Sequence, residues 1–395
     1  MHRVRDRSGI LFPNPERNGR VLGKDIAVSP TPLKSDLENL SNHQAGARPN
    51  QYICRMILVT GGTGLLGSHL LLKLVEDGKP VRAIYRTEKK RDSVVNIFNY
   101  YRRNANELWQ KIEWVKGDVL DVSSLEDALD GVTQVYHCAA AVTFIPAEEE
   151  YMQKVNVEGT ANLVNACLEK GGIRFGHVSS VAAIGRDGSE EMISEKNEWK
   201  DSSHNAAYAI SKHNAEIEIW RGTVEGLNAF MINPSLILGP GDWTASTGAM
   251  FKKAYSGLPF YTRGGNCFVD VRDVVESMFQ LMNSDVQNDR FIVGAENRKF
   301  KEVFGQIAEK MGKKPPRLEA SPWMTELTWR FEKVRSALTG TKPFITKEVA
   351  HHALQLNRYD NSKLLKALPE FAYRDVNETL DFVCEQFLTD QNGSR

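Results

Sequence analysis

Cysteine is scarce in this 395-residue sequence: there are five (Cys54, Cys138, Cys167, Cys267 and Cys384). They are odd in number, widely scattered and never spaced as C-x-x-C, which argues against a disulfide framework or a zinc site and fits a reducing, cytoplasmic setting. Long apolar runs are missing as well. None approaches the roughly 18 residues of a membrane span, and the N-terminus, MHRVRDRSGILFPNPERNGR, is charged where a signal peptide would be apolar. A soluble protein without an integral membrane segment is expected. An excess of one charge is absent too, with Lys plus Arg and Asp plus Glu both at 50. No net field therefore marks nucleic acid or an anionic membrane as the main partner, and a small, locally recognised ligand fits better. Internal repeats and low-complexity tracts are not visible.

What is present is an alternation. Short β-branched runs, MILVT (56–60), VRAIYR (81–86), IEWVKGD (112–118), QVYHCAA (134–140), FGHVSS (175–180) and AFMINPSLILG (229–239), are separated by helical patterns such as 65–77 and 151–170. This predicts an α/β fold, a doubly wound parallel sheet of the Rossmann type, with a smaller, interleaved C-terminal substrate lobe that includes a short strand, FIVG, at 291–294. Residues 56–240 read as the nucleotide-binding domain and 241–390 as the lobe with the last sheet elements. Residues 1–55 lack hydrophobic periodicity and read as a disordered or loosely attached extension. Met56 could itself start a complete domain, so an overextended start is one reading. A mitochondrial presequence is weaker, because Glu16, Asp25, Asp36 and Glu38 interrupt it.

In MILVTGGTGLLGSHL the glycines can be spelled two ways. Gly62, Gly64 and Gly67 give G-x-G-x-x-G, whereas Gly61, Gly64 and Gly67 give G-x-x-G-x-x-G. A strand, a glycine turn and an apolar helix together point to a dinucleotide, whose pyrophosphate approaches the backbone at a helix N-terminus. A plain strand-to-helix turn rarely needs four glycines in seven residues. The ribose end separates the two nicotinamide cofactors: Asp or Glu about 20 residues on suits NAD, and Arg suits the 2′-phosphate of NADP. Here β-strand residues Tyr85-Arg86 run into TEKKRD, so Arg86 is the natural phosphate ligand, with Lys89, Lys90 or Arg91 as helpers. NADP(H) is favoured, with NAD(H) as the alternative, against the plainer reading of a solvated charge run.

Hydride transfer to a carbonyl also needs a proton donor. A tyrosine of ordinary pKa about 10 serves if nearby positive charge draws it towards neutrality, a shift of about three units or roughly 4 kcal/mol. Tyr and Lys four residues apart share one helix face. That spelling occurs at Tyr85–Lys89, Tyr208–Lys212 and Tyr359–Lys363. Only Tyr208 opens a helix, YAISKHNAEIEIW, after a strand with hydroxyls at its C-terminal end, where α/β ligands bind.

Taken together, VTGGTGLLG, VYHCAA (135–140), NVEGT (156–160), HVSSVAAIG (177–185), YAISK (208–212), NPSLILGPGD (233–242) and FVDVRDVV (268–275) resemble the extended short-chain dehydrogenases/reductases of the NAD-dependent epimerase/dehydratase family. The dihydroflavonol reductase and 3β-hydroxysteroid dehydrogenase branch is nearest, and the resemblance runs from Met56 to about Leu388. It implies cofactor contacts from Gly61, Gly64, Leu65, Leu66, Gly67, Arg86, Asp118, Val119, Ala139, Ala140, Tyr208, Lys212 and Pro234. It implies a catalytic set of Ser180, Tyr208 and Lys212, with Ser179 as a nearby alternative to Ser180, and no metal. Asn156 matches a helix asparagine of structural role. A homodimer through helices near 151–170 and 206–221 is also implied.

The activity so implied is NADPH-dependent reduction of a ketone or aldehyde, reversible as alcohol oxidation. Nucleotide-sugar members carry R-x-x-N-x-x-G-P, and Phe230 stands where that arginine would fall, which favours the reductase over an epimerase or dehydratase. A regulatory NADP(H)-binding protein without turnover is disfavoured because the Ser, Tyr and Lys are all kept. Phe144 and the polar loop 186–206 fall where substrate walls are built. Trp323, Leu327 and Phe331, four residues apart with Trp329 nearby, read first as lobe core and otherwise as a pocket wall or a membrane-contacting face.

Overall fold

The computed structural model describes residues 56–186, 192–202, 205–339 and 345–393. The expected extension, 1–55, lies outside the described residues, as do parts of the 186–206 loop.

Ten strands matter here: β1 (Met56–Thr60), β2 (Val81–Tyr85), β3 (Ile112–Lys116), β4 (Val132–His137), β5 (Arg174–Val178), β6 (Asn228–Pro234), β7 (Leu236–Leu238), β8 (Gly265–Asp270), β9 (Asp289–Val293) and β10 (Glu296–Lys299). Seven form one sheet in the order β9-β6-β5-β4-β1-β2-β3, with every neighbouring pair parallel. Such strands are covered on both faces, which is why Ile57, Leu58 and Val59 are all buried in succession. The chain runs outward from β1 to β3 and then returns beside β1 as β4. This reversal is the switch point at which open α/β sheets bind ligands, outside the carboxyl ends of the strands.

Helices α1 (Leu65–Glu76), α2 (Val122–Ala128), α3 (Gly159–Lys170), α4 (Ala207–Val224) and α5 (Val271–Met282) cover the sheet. Leu70, Leu71 and Leu74 of α1 pack with Val274 and Met278 of α5 in one buried cluster. Leu125, Leu163 and Ile219, from α2, α3 and α4, fill a second. Each buried leucine contributes about 1.5–3 kcal/mol, so both sides of the sheet are strongly held. A third cluster, around Phe251, Phe268, Ile307, Leu380 and Phe387, lies with the small sheet β10-β8-β7. Residues after 240 thus contribute to both, because α5 and β9 return to the large sheet.

Three local expectations change. The run 229–239 is not one strand: Pro234, which has no N–H for the ladder, ends β6, and β7 joins the small sheet. The single helix expected over 151–170 is broken by a π-helical turn at Lys154–Glu158. That wider turn aims Asn156 inwards, where it bonds two other segments. The stripe expected as lobe core lies on α6 (Pro322–Thr339), and its Trp323, Leu327 and Phe331 are exposed; only Trp329 is half-buried. Among the described residues, no helix is long and apolar enough to cross a membrane.

Candidate active site

At the end of β1 the two glycine spellings separate. Gly61 has φ +69°, and a Cβ there would lie 2.5 Å from the Ala139 nitrogen at the end of β4. A Cβ on Gly67 would fall 2.2 Å from the Gly61 oxygen. Both positions are closed to any side chain by backbone. At Gly62 the nearest obstacle is the tip of Leu71, 2.9 Å away, which can move. Gly64 is exposed, its amide bonds the Gly61 carbonyl at 3.0 Å, and it caps α1 with no side chain over the helix end. The register is therefore Gly61, Gly64, Gly67. A turn with bare backbone at a 12-residue helix N-terminus fits a dinucleotide pyrophosphate. Leu65, half-buried, packs near Gly239 and Gly241, and Leu66 is buried.

The residues expected at the ribose end lie at the tips of β2 and β3. Arg86 is exposed, donates to the Tyr151 hydroxyl and stands 3.8 Å from the Asp118 carboxylate. Asp118 accepts from the Leu120 amide at 3.0 Å, and Val119 packs where Gly159 lets α3 come close. Among the suggested helpers, Arg91 is already engaged with Asp92 and lies over the Tyr85 ring, whereas Lys89 and Lys90 are exposed.

Beyond β4, Ala139 and Ala140 continue to Ala141, whose amide donates to Asn156 Oδ1 at 2.7 Å. The Asn156 amide group donates to the Ala141 carbonyl at 3.0 Å and to Ser211 Oγ on α4 at 2.9 Å. Asn156 thus ties the loop after β4 to the helix that carries Tyr208. His137 is similarly tied, sharing hydrogen bonds with Thr60 at 2.7 Å and Thr160 at 3.0 Å. Burial draws it down to about 3, so it stays neutral.

Ser180 caps the short turn after β5, its Oγ accepting from the Ala182 amide at 3.1 Å, and its side chain lies beside the Tyr208 phenol. Ser179 is buried, and its hydroxyl has no hydrogen-bond partner among the described residues. Geometry thus separates the two serines. Phe144 meets the Tyr208 ring edge-on at 5.8 Å. Lys212, one turn along α4, is buried and donates to the Val178 carbonyl at 2.8 Å. Burial draws its ammonium down to about 8, opposed by Glu216 and Cys138. For Tyr208, burial raises the pKa and the neighbouring Ser180 hydroxyl offsets this only in part. The depression expected from Lys212 is not produced by the protein's own groups, because desolvation of the phenol outweighs them.

Tyr85 and Tyr359 lie elsewhere. Tyr85 belongs to β2 beneath Arg91, and Tyr359 is core, its hydroxyl 3.5 Å from Arg186. Pro234 closes β6 beside the site. Sequence reasoning missed a buried network behind Ser180. Asn233 donates to the Ser180 carbonyl at 2.9 Å and to Glu216, and Arg290 of β9 pairs with Glu216 at 2.9 Å. One signal was available: Glu216 lies four residues beyond Lys212, on the same helix face.

A parallel doubly wound sheet, a glycine turn at its switch point and a Ser, Tyr and Lys beside it are the arrangement of the extended short-chain dehydrogenase/reductase class. The chain belongs to the NAD dependent epimerase/dehydratase family, whose model matches residues 57–294. It is 30% identical over 318 residues to a Synechocystis sp. protein named "Putative dihydroflavonol 4-reductase", covering 78% of this chain and 88% of that one. It is 28% identical over 270 residues to sterol demethylase protein B of Methylococcus capsulatus, covering 67% and 77%. The crystal structure of gox2253 superposes with a TM-score of 0.69 at 29% identity, over 85% of this chain and 98% of that one. The family comprises NAD(P)-dependent oxidoreductases and epimerases.

Proposed function

We propose that the chain is an NADPH-dependent reductase of a ketone or aldehyde on a largely apolar scaffold. The observation that carries this reading is the meeting of Ser180, the Tyr208 phenol and the buried Lys212 at the carboxyl end of β5. A bound nicotinamide cofactor would be held by Gly61, Gly64 and Gly67 with Leu65 and Leu66, by Arg86, Asp118 and Val119 at the adenosine end, and by Ala139, Ala140, Lys212 and Pro234 nearer the reacting centre. When bound, it supplies the hydride.

The chain's own groups manage the oxygen and the proton. Ser180 Oγ holds the carbonyl oxygen against Tyr208. As the hydride, carrying two electrons, reaches the carbon, the phenol gives its proton to that oxygen, and an alcohol results. Burial keeps Tyr208 protonated, which suits a donor. In the oxidising direction the phenol must lose its proton first, and additional positive charge at the site would assist this. Lys212 stands ready to bond ribose hydroxyls.

Dihydroflavonols and sterols, named for two relatives, are fused-ring and mostly apolar. The buried Phe230, standing where sugar-nucleotide members place arginine, supports the same direction. The homodimer expected through α3 and α4 belongs to this proposal; exposed Ile217 on α4 leaves an apolar contact for a second copy, and a monomer in sedimentation at micromolar concentration would count against it. The test is NADPH consumption with a panel of aromatic ketones and aldehydes, run beside UDP-sugar epimerisation. Consumption with the carbonyls alone is expected; epimerisation without it would replace this reading.

A further inference from the structure

On α6, Trp323, Leu327, Phe331, Val334 and Leu338 are each between 57% and 82% exposed. At about 100° per residue, these five fall within a stripe of roughly 80°, about 22 Å long. The opposite side is the docked one: Trp329, Glu332 and Ser336 are half-buried, and the helix packs on α7 (Lys347–His352). The apolar stripe therefore faces solvent by construction of the helix. A contiguous exposed stripe with tryptophan and phenylalanine marks an interaction surface rather than scattered surface apolars.

Charge selects the occupant. The whole chain is balanced, yet between residues 313 and 347 eight Lys and Arg stand against three Asp and Glu. Lys313, Lys314, Arg317, Lys333 and Lys347 are exposed there. Interfaces between copies of a protein are depleted in lysine, whereas helices that lie in the plane of a bilayer combine an apolar stripe with flanking cations. The geometry points to α6 as an interfacial helix that docks the protein on an anionic lipid bilayer, with the stripe sunk at the headgroup boundary and the lysines at the lipid phosphates. No segment spans the membrane in this arrangement, and binding stands without any assumption about turnover.

The dock lies close to the site. Glu348 of α7 lies beside the backbone of Ala207, the residue before Tyr208. A protein lying on α6 thus holds the opening of its cleft near the bilayer surface. On the reductase reading, on which this consequence rests, the substrate reaches the site from the lipid phase.

Flotation of the full chain with vesicles tests the dock, comparing pure phosphatidylcholine with phosphatidylcholine plus phosphatidylglycerol at low and high salt. The chain should float with the anionic vesicles, less with neutral ones, and less as salt rises. The double variant L327S/F331S should float about tenfold less or worse, with unchanged NADPH binding and thermal midpoint, since both side chains are exposed. Three results would overturn the proposal: no flotation with either vesicle, equal flotation of the variant, or a concentration-dependent dimer that floats with neither vesicle and that the variant abolishes. Carbonyl reduction is measured without vesicles, so failure of one idea leaves the other standing.

Discussion

Ser180 and Tyr208, held on different elements, lie side by side, while the hydroxyl of the neighbouring Ser179 is buried with no hydrogen-bond partner among the described residues. The pair predicts a sharp contrast. Ser180→Ala should lower kcat about 100-fold, the usual size of a lost oxygen-binding or proton-relay group, whereas Ser179→Ala should leave kcat within about twofold. Steady-state kinetics of both variants decides between the serines; equal losses would remove Ser180 from its role.

The glycine turn predicts an order of tolerance. Gly67→Ala forces a Cβ to 2.2 Å from a backbone oxygen, and Gly61→Ala adds a strained φ of +69°. Each should cost about 1–3 kcal/mol or more and weaken cofactor binding. Gly62→Ala meets the movable Leu71 tip at 2.9 Å and the Ala83 Cβ at an ordinary 3.4 Å, and should be nearly silent. Thermal melts with and without NADPH measure all three, and a Gly62 variant as damaged as Gly67 would contradict the register.

Arg86 is the exposed cation at the end of β2, with Arg91 held by Asp92. Arg86→Asp should weaken NADPH binding about tenfold or more and leave NADH nearly unchanged. Fluorescence titration with both cofactors reports this, and an unaltered preference would move the phosphate elsewhere.

Acid should unfold the protein early. His69 is drawn down by burial to about 4, His137 to about 3, and His177 well below 6.5. Their folded values lie below the unfolded one, so the unfolded chain binds more protons and stability falls as pH drops below about 6.5. Each adds up to about 1.4 kcal/mol per pH unit between there and its folded value. His177→Phe should reduce that slope by about one proton in denaturant titrations across pH 4–6.5; an identical slope would contradict the assignment.

Much of this was readable in the residues alone. β1 announces itself because Ile57, Leu58 and Val59 are apolar in succession, as a strand covered on both faces must be. The Tyr208–Lys212 spacing is likewise local, being one helical turn. The π turn was not readable, since it depends on Asn156 finding Ala141 and Ser211, both distant in sequence. Nor was the link among Asn233, Glu216 and Arg290, whose partners come from β6, α4 and β9. The stripe on α6 shows a third limit. Helical spacing reveals that Trp323, Leu327 and Phe331 share a face, but the neighbour that a face meets is set by tertiary packing, and here α7 takes the other side.

The central claim, a proton delivered by Tyr208 to a carbonyl oxygen, is tested most directly by Tyr208→Phe, which keeps the ring against Phe144 and removes only the hydroxyl. With a carbonyl that the wild type reduces, kcat should fall at least about 1000-fold while the Kd for NADPH changes less than about threefold. Turnover undiminished in Tyr208→Phe would contradict the account.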